Sequence, residues 1–489
     1  MLDLVSIDLK KKPVSALIVP VCEDIQIHGN RAIASLEKKA CEIPEFNGKS
    51  KEEIVLYNPE NIAADRVFFI GIGSSEKLTL EKLRAFAGKA VNRAIGKKIN
   101  DILIALPTAK KIGMNTSEMI EAMFEGAFLA NHRFDIYKDE KEEAILEKIE
   151  FLAAPVVIKA CKNLPNRVET ICRNTLLARE WVNIPSNDKT PKKFIDMISK
   201  IAKKEDLSIT VLDEKKLKRL KMNALLAVGA GSSNRPGLIA LEYRAENAEE
   251  TVVLVGKGVT FDSGGLNLKP GGSLDNMKTD MAGGAAVAAT LLAISRLKPN
   301  INVTGVIPVV ENMPSGSAVR PGDVIKTFSG KTVEIGNTDA EGRLILADAM
   351  AWAIKEYEPR IMIDAATLTG ACLVALGTGI AGLFTYDDDL AASIIEAAEK
   401  THERCWRMPL PDDYKESIKS EIADMNNISK KRWGGAINAA LFLAEFTKDT
   451  RWAHIDIAGP SSLEKGQDYC PAGGTGFGVR LLCNFIDSL

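Results

Sequence analysis

Histidine is nearly missing: His28, His132, His402 and His454 are all that the 489 residues hold. A zinc site built on histidines, or a serine–histidine–aspartate relay, has little material to draw on. Cysteine is sparse too, and the eight (22, 41, 161, 172, 372, 405, 470 and 483) form no CxxC pair. That argues against a thiolate zinc site and a disulfide framework, and for reduced thiols in a cytosol. Net charge is small, 63 − 65 = −2. No global basic field exists to recruit nucleic acid or an anionic membrane, although a local patch stays open. Long apolar runs are lacking as well. The central uncharged stretch, residues 281–295, is shorter than the ~20 residues that span a bilayer and reads as a buried helix. Met1-Leu2-Asp3-Leu4 has no basic segment leading into an apolar one, so no secretory leader is read there and a cytoplasmic location is expected.

What remains is an ordinary globular composition, 46% apolar and 26% charged, in a chain long enough for large cores. At ~100–200 residues per domain, the length fits two or three domains. The first part alternates short β-branched runs (16–21, 66–72, 102–106) with stretches of helical spacing (80–97, 117–132), which predicts an α/β layer domain. Gly71 and Gly73 before Ser74-Ser75 are read as a strand-to-helix turn rather than a phosphate loop. A helix over 167–182 ends in the turn-rich Asn183-Ile184-Pro185-Ser186-Asn187, and the domain boundary is placed just before it. Alternation then resumes, with strands at 208–212, 238–243, 251–255, 302–310 and 360–365. Helices are expected over 282–297, 343–355, 390–401 and 435–446. The basic clusters 10–12 and 215–221 read as solvated surface.

Chemistry concentrates in two stretches. The first follows the apolar run 252–255 and places Lys257, Asp262, Lys269 and Asp280 among glycines. In open α/β sheets, ligands bind beyond the carboxyl ends of strands, and glycines there let the backbone come close. Asp280 opens an apolar helix, where a carboxylate also suits the helix dipole, so capping explains it as well as ligation does. The second stretch is Gly336-Asn337-Thr338-Asp339-Ala340-Glu341-Gly342-Arg343-Leu344. If it is extended, Asp339, Glu341 and Arg343 share one side. Four carboxylates exceed the need of one divalent ion, and shared ones could bridge two ions about 3.5–4 Å apart, an arrangement used for hydrolysis. His454, in the strand-like Trp452-Ala453-His454-Ile455-Asp456-Ile457, reads as a core histidine.

These residues closely resemble the leucyl aminopeptidase (cytosol aminopeptidase) family. Asn337–Leu344 matches that family's signature octapeptide without a substitution. The run 256–265, Lys269, Asp280, the turn 183–191 and Ala365-Ala366-Thr367-Leu368-Thr369-Gly370 match in residue and spacing. The similarity covers roughly residues 165–489 and weakens before them. It implies a smaller N-terminal α/β domain (1–164) and a larger C-terminal α/β catalytic domain (165–489), with a linking helix over 165–183. The catalytic domain would have a central mixed sheet flanked by helices. The resemblance further implies two divalent metal ions, manganese or zinc, with Asp262 and Glu341 bridging both. Asp339 would complete the first metal site, and Lys257 and Asp280 the second. Lys269 would stabilise the oxyanion. Arg343 would hold a bicarbonate as general base, with help from backbone groups of Ala340, Gly342 and Leu368. Met277, Thr367, Gly370 and Ala458 would line the pocket for the first side chain. The expected activity is release of N-terminal residues, Leu and other apolar ones first, from peptides with a free N-terminus, by a homohexamer serving peptide catabolism. Two alternatives stay open. A two-metal phosphoesterase would use the same carboxylates, and some bacterial relatives add a DNA-binding role, which the near-neutral charge disfavours.

Overall fold

The computed structural model describes residues 2–139 and 146–489. Two compact units emerge, Met1–Cys172 with Lys465–Pro471, and Arg173–Glu464 with Ala472–Leu489. The division falls inside helix Leu164–Asn183, not ahead of residue 165. It also sends a short segment from near the C-terminus to the first unit.

Six strands among the described residues make the first sheet: β1 (Leu2–Val5), β2 (Leu17–Cys22), β3 (Glu53–Tyr57), β4 (Arg66–Gly73), β5 (Asp101–Ala105) and β6 (Lys148–Leu152). Their order is β1-β6-β5-β2-β4-β3, parallel throughout except for β3 at the edge. β2 is buried at every position, as a strand covered on both faces should be. Three helices, α1 (Arg31–Cys41), α2 (Leu80–Gly96) and α3 (Thr116–Ala130), are each capped by a side chain from Asn30, Thr79 and Asn115. Residues 465–471 lie along α2. A Cβ on Gly88 would come 2.8 Å from the Asp468 carbonyl, and the Tyr469 hydroxyl donates to Glu81 Oε1 at 2.9 Å. Ser74 and Ser75 both bond Asp24, a carboxylate set where a phosphate loop would need to be open to anions.

The second unit holds β7 (Ser208–Leu212), β8 (Gly237–Tyr243), β9 (Thr251–Gly256), β10 (Gly258–Asp262), β11 (Asn302–Asn312), β12 (Val324–Lys326), β13 (Thr332–Glu334), β14 (Ile361–Ala366), β15 (Ala381–Phe384), β16 (Cys405–Arg407), β17 (Met425–Asn426) and β18 (Arg451–Asp456). The main sheet runs β16-β15-β18-β14-β9-β11-β8-β7, with β10 beside β11. It is mixed: β18, β14, β9 and β11 are mutually parallel, β8 runs against β11, and β15 runs against β18 but parallel to β16. The four central parallel strands therefore end on one edge. β12, β13 and β17 form a small separate sheet.

Helix α4 (Leu164–Asn183) stops just ahead of Pro185, which has no N–H to continue it; Ile184 N still donates to Glu180 O at 3.0 Å. Helix α5 (Ala282–Leu297) is buried from residue 282 to 295, and α6 (Gly342–Tyr357) from 342 to 353. The stretch Gly271–Leu297 is long and apolar enough to cross a membrane, yet it is largely buried inside the protein, which makes it a core element. Cys22, Cys41, Cys161, Cys372, Cys405 and Cys470 are free thiols. His454 is fully buried, with Nδ1 2.7 Å from Asp364 Oδ1 and its ring stacked near Phe384 and Trp452, the core role expected of it.

Candidate metal centre

The site is assembled at the carboxyl edge of the parallel strands. Lys257 directly follows β9, and its backbone is clamped on both sides. Its N–H donates to Ala365 O of β14 at 3.1 Å, and its carbonyl accepts from Gly284 of α5 at 2.7 Å. Its side chain then enters a cage of acceptors: Asp280 Oδ1 at 2.7 Å, Glu341 Oε1 at 2.8 Å and the Thr367 carbonyl at 2.9 Å. Asp262 ends β10. Gly264 and Gly265 follow with φ of +87° and +64°, a left-handed pair that side-chain-bearing residues resist. The resulting turn brings Lys269 N to Ser263 O at 2.9 Å and Lys269 Nζ back to Asp262 Oδ2 at 2.8 Å. Lys269 also reaches Asp339 Oδ1 at 2.6 Å. Asp280 closes a short 3₁₀ turn, Met277–Thr279, and accepts from the Thr367 hydroxyl at 2.7 Å.

The octapeptide is not extended. It turns at Thr338-Asp339 and enters α6 at Gly342, because Leu344 N and Ile345 N bond back to Glu341 O and the following Leu344–Ala347 run is buried. Asp339 and Glu341 still reach the cluster, from a turn and a helix start. Arg343 departs from them: it donates to the Asn427 carbonyl at 2.6 Å, and its buried Nε has no partner.

Asp262, Asp280 and Glu341 are all buried, with one oxygen of each lying within 4.8 Å of the others. Burial raises the carboxyl pKa of Asp280, Asp339 and Glu341, and Asp262 adds repulsion to all three. Burial disfavours charge on Lys257 and Lys269, but the facing carboxylates outweigh it and hold both amines above the ordinary lysine value. Burial pulls the Arg343 guanidinium down to about 10. Four carboxylates against two ammoniums leave 2 − 4 = −2 in a largely buried cluster. Such charge is costly away from water unless compensated. Asp280 Oδ2 is buried and has no hydrogen-bond partner. Hard oxygen donors, an excess of negative charge and an orphaned carboxylate oxygen fit a divalent cation.

Residues 176–483 match the cytosol aminopeptidase family, catalytic domain, and residues 27–141 match the N-terminal domain of the same family. A probable cytosol aminopeptidase of Geobacter sp. (strain M21) is 42% identical over 92% of this chain and 91% of its own length. The chain belongs to the cytosol aminopeptidase family. It is a metal-dependent aminopeptidase. A second relative of the same description, from Cenarchaeum symbiosum (strain A), is 40% identical over 90% of this chain and 89% of its own. Among solved structures, a tomato leucine aminopeptidase mutant has a TM-score of 0.88 at 32% identity, covering 100% of this chain and 96% of that one. The bottromycin maturation enzyme BotP in complex with Mn has a TM-score of 0.86 at 34% identity, covering 97% and 99%.

Within this aminopeptidase, other expected residues also gather at the edge. Leu368 N and Ala458 N both donate to Asp456 Oδ1 at 3.1 Å. Met277 begins the turn that ends at Asp280, and exposed Gly370 begins the helix Gly370–Leu376. Sequence reasoning missed three supporting residues. Asn312, at the end of β11, donates to Asp262 Oδ1 at 2.8 Å. Asn427 arrives beside β13 through β17, accepts from Gly336 N at 2.8 Å and donates to Asn337 O at 2.7 Å. Asp456, the last residue of β18, accepts from the Thr369 hydroxyl at 2.7 Å. Only their places at strand ends could have marked them.

Proposed function

We propose that this aminopeptidase holds two divalent cations, manganese or zinc, among Lys257, Asp262, Asp280, Asp339 and Glu341, and cuts the first peptide bond there. The convergence of three buried carboxylates, one with an unpartnered oxygen, carries the reading. Asp262 and Glu341 are the central pair, and would bridge. Asp339 would complete one ion's set, and Lys257 with Asp280 the other's. When bound, such cations acidify water and polarise a carbonyl. Lys257 would serve as a ligand only as a neutral amine.

Lys269 supplies the remaining charge. Its ammonium, paired here with Asp262 and Asp339, would donate to the substrate carbonyl and to the developing oxyanion. Arg343 would hold a bicarbonate, whose chemistry is general-base catalysis. The N–H groups of Ala340 and Leu368 are engaged already, by Asn337 O and Asp456 Oδ1. The unpartnered Arg343 Nε and the Gly342 backbone are therefore the better donors for that anion. Met277, Thr367, Gly370 and Ala458 would border the first side chain, which favours Leu and other apolar residues. The peptide's free amino group would anchor its end, so interior bonds are spared. A homohexamer in the cytoplasm belongs to the same proposal and rests on the family resemblance.

The test is release of leucine from a leucyl amide by protein stripped of metal and then resupplied with manganese or zinc. An acetylated counterpart and an aryl phosphate run beside it. Metal-dependent cleavage of the free amide alone supports the reading; phosphate release without amide cleavage would replace it with a phosphoesterase.

A further inference from the structure

Lys189 is fully buried, and no carboxylate among the described residues pairs with it. A lysine so placed is costly unless each of its protons finds an acceptor. Here they do. Its Nζ donates to Trp181 O at 2.6 Å, to Lys278 O at 2.9 Å and to Met281 Sδ at 3.2 Å, with Val182 O a further 3.3 Å contact.

The sequence explains why the helix end needs this amine. In a continuing helix, the Trp181 carbonyl would accept from residue 185, which is a proline and has no N–H. Helix α4 thus ends with an orphaned carbonyl that needs a donor, and the Lys189 amine supplies one even though burial, with Lys278 nearby, pulls its pKa well below the ordinary lysine value. The other partner lies in the site. Lys278 sits in the turn Met277–Thr279, two residues before Asp280, and Met281 directly follows Asp280. The same linking turn also touches the other ligand-bearing strand, through Ser186 Oγ to Thr260 O at 2.7 Å, two residues before Asp262.

We propose that Lys189 is a positioning residue for the metal site, a tether that joins the orphaned end of α4 to the turn presenting Asp280. It touches neither substrate nor cation. Its contribution is to hold the Lys278 carbonyl before Asp280 and the Met281 side chain after it, while Asp280 Oδ1 is held by Lys257 and the Thr367 hydroxyl and Oδ2 is left for a ligand. This inference rests on assigning Asp280 to the metal centre.

The test is manganese binding to metal-stripped Lys189→Met, read by calorimetry, with turnover at saturating manganese measured separately. Methionine fills the space of the apolar stem as far as Cε, one bond short of Nζ, and donates nothing. Manganese binding is expected to weaken by about 10- to 100-fold, the usual cost of losing a residue that supports a ligand. Turnover at saturating manganese should stay near that of the parent. Parent-like binding in a folded Lys189→Met would overturn the tether. Should that variant not fold, Lys189→Gln decides. Its amide falls one bond short of Nζ and serves one carbonyl rather than both, so weakened binding supports the proposal and unchanged binding rejects it. Failure of both variants to fold would make Lys189 a stability determinant only, and also reject it. Glu341→Gln runs alongside: unchanged binding there rejects the metal-site assignment itself, whereas unchanged binding in the Lys189 variants alone rejects only the tether.

Discussion

Gly342 opens α6 with its Cα face pressed on the Lys257 side chain, and Gly342→Ala puts that contact to the test. An added Cβ would stand 2.6 Å from Lys257 Cε and 2.9 Å from Nζ. Ordinary carbon contacts begin near ~3.5 Å, so the lysine must retreat by about 1 Å. It has nowhere free to go, being held at once by Asp280, Glu341 and the Thr367 carbonyl. Overpacking of this kind costs about 1–3 kcal/mol, and the lost flexibility of the unfolded chain returns about 0.4–1 kcal/mol. The net, about 1–2 kcal/mol, lowers the melting temperature by only a few degrees in a protein of this size. Activity should suffer far more, since displacing a site group by about 1 Å can cost about 100-fold. The assay is leucyl amide hydrolysis with manganese beside a thermal melt. Gly316→Ala is the control, because a Cβ there meets nothing within 4 Å. Full activity in a folded Gly342→Ala would refute the claim that Lys257 must stay where it is.

Three further outcomes are expected. Lys269→Ala should retain bound metal and lose about 10²- to 10³-fold in turnover, as when one oxyanion donor is removed; unchanged turnover would end its assigned role. Glu341→Gln should lose metal and activity together, checked by metal analysis of the dialysed protein, and a fully metallated active variant would contradict bridging. Burial pushes the Asp348 carboxyl up to about 7, although the N–H groups of Phe328 and Leu225 favour its charge. A carboxyl raised in the fold stabilises while protonated, and that stability is lost as pH rises from the ordinary value of 3.8 through about 7. Thermal melts across this window should therefore fall more steeply for the parent than for Asp348→Asn, and parallel curves would count against the shift.

Much of this was legible before any coordinates. Strands 208–212 and 251–255, rich in β-branched residues, and the mostly apolar helix 282–297 stand within a residue of where they were expected. That these acids and lysines converge could be read because they lie among glycines in two short stretches. The octapeptide's conformation could not, since Asp339, Glu341 and Arg343 at alternate positions look the same in a strand and in a turn that opens a helix. What decides is the buried Leu344–Ala347 run beyond them. Asn312, Asn427 and Asp456 escaped for another reason. Each lies far along the chain from the group it serves and follows no spacing rule; only strand pairing brings it there. The same holds for residues 465–471, whose place in the first unit no local pattern announces.

That segment has a consequence for the order in which the protein is made. The ribosome delivers the first 172 residues early, yet the groups that meet Glu81, Gly88 and Asn92 of α2 come from Asp468 and Tyr469. Domains generally fold as units during synthesis, the N-terminal one first. Here the first unit stays unfinished until residues 465–471 have emerged, with part of α2 uncovered for the interval. A fragment ending at Cys172 would inherit that gap permanently, and would need residues 465–471 supplied as a separate peptide to close it.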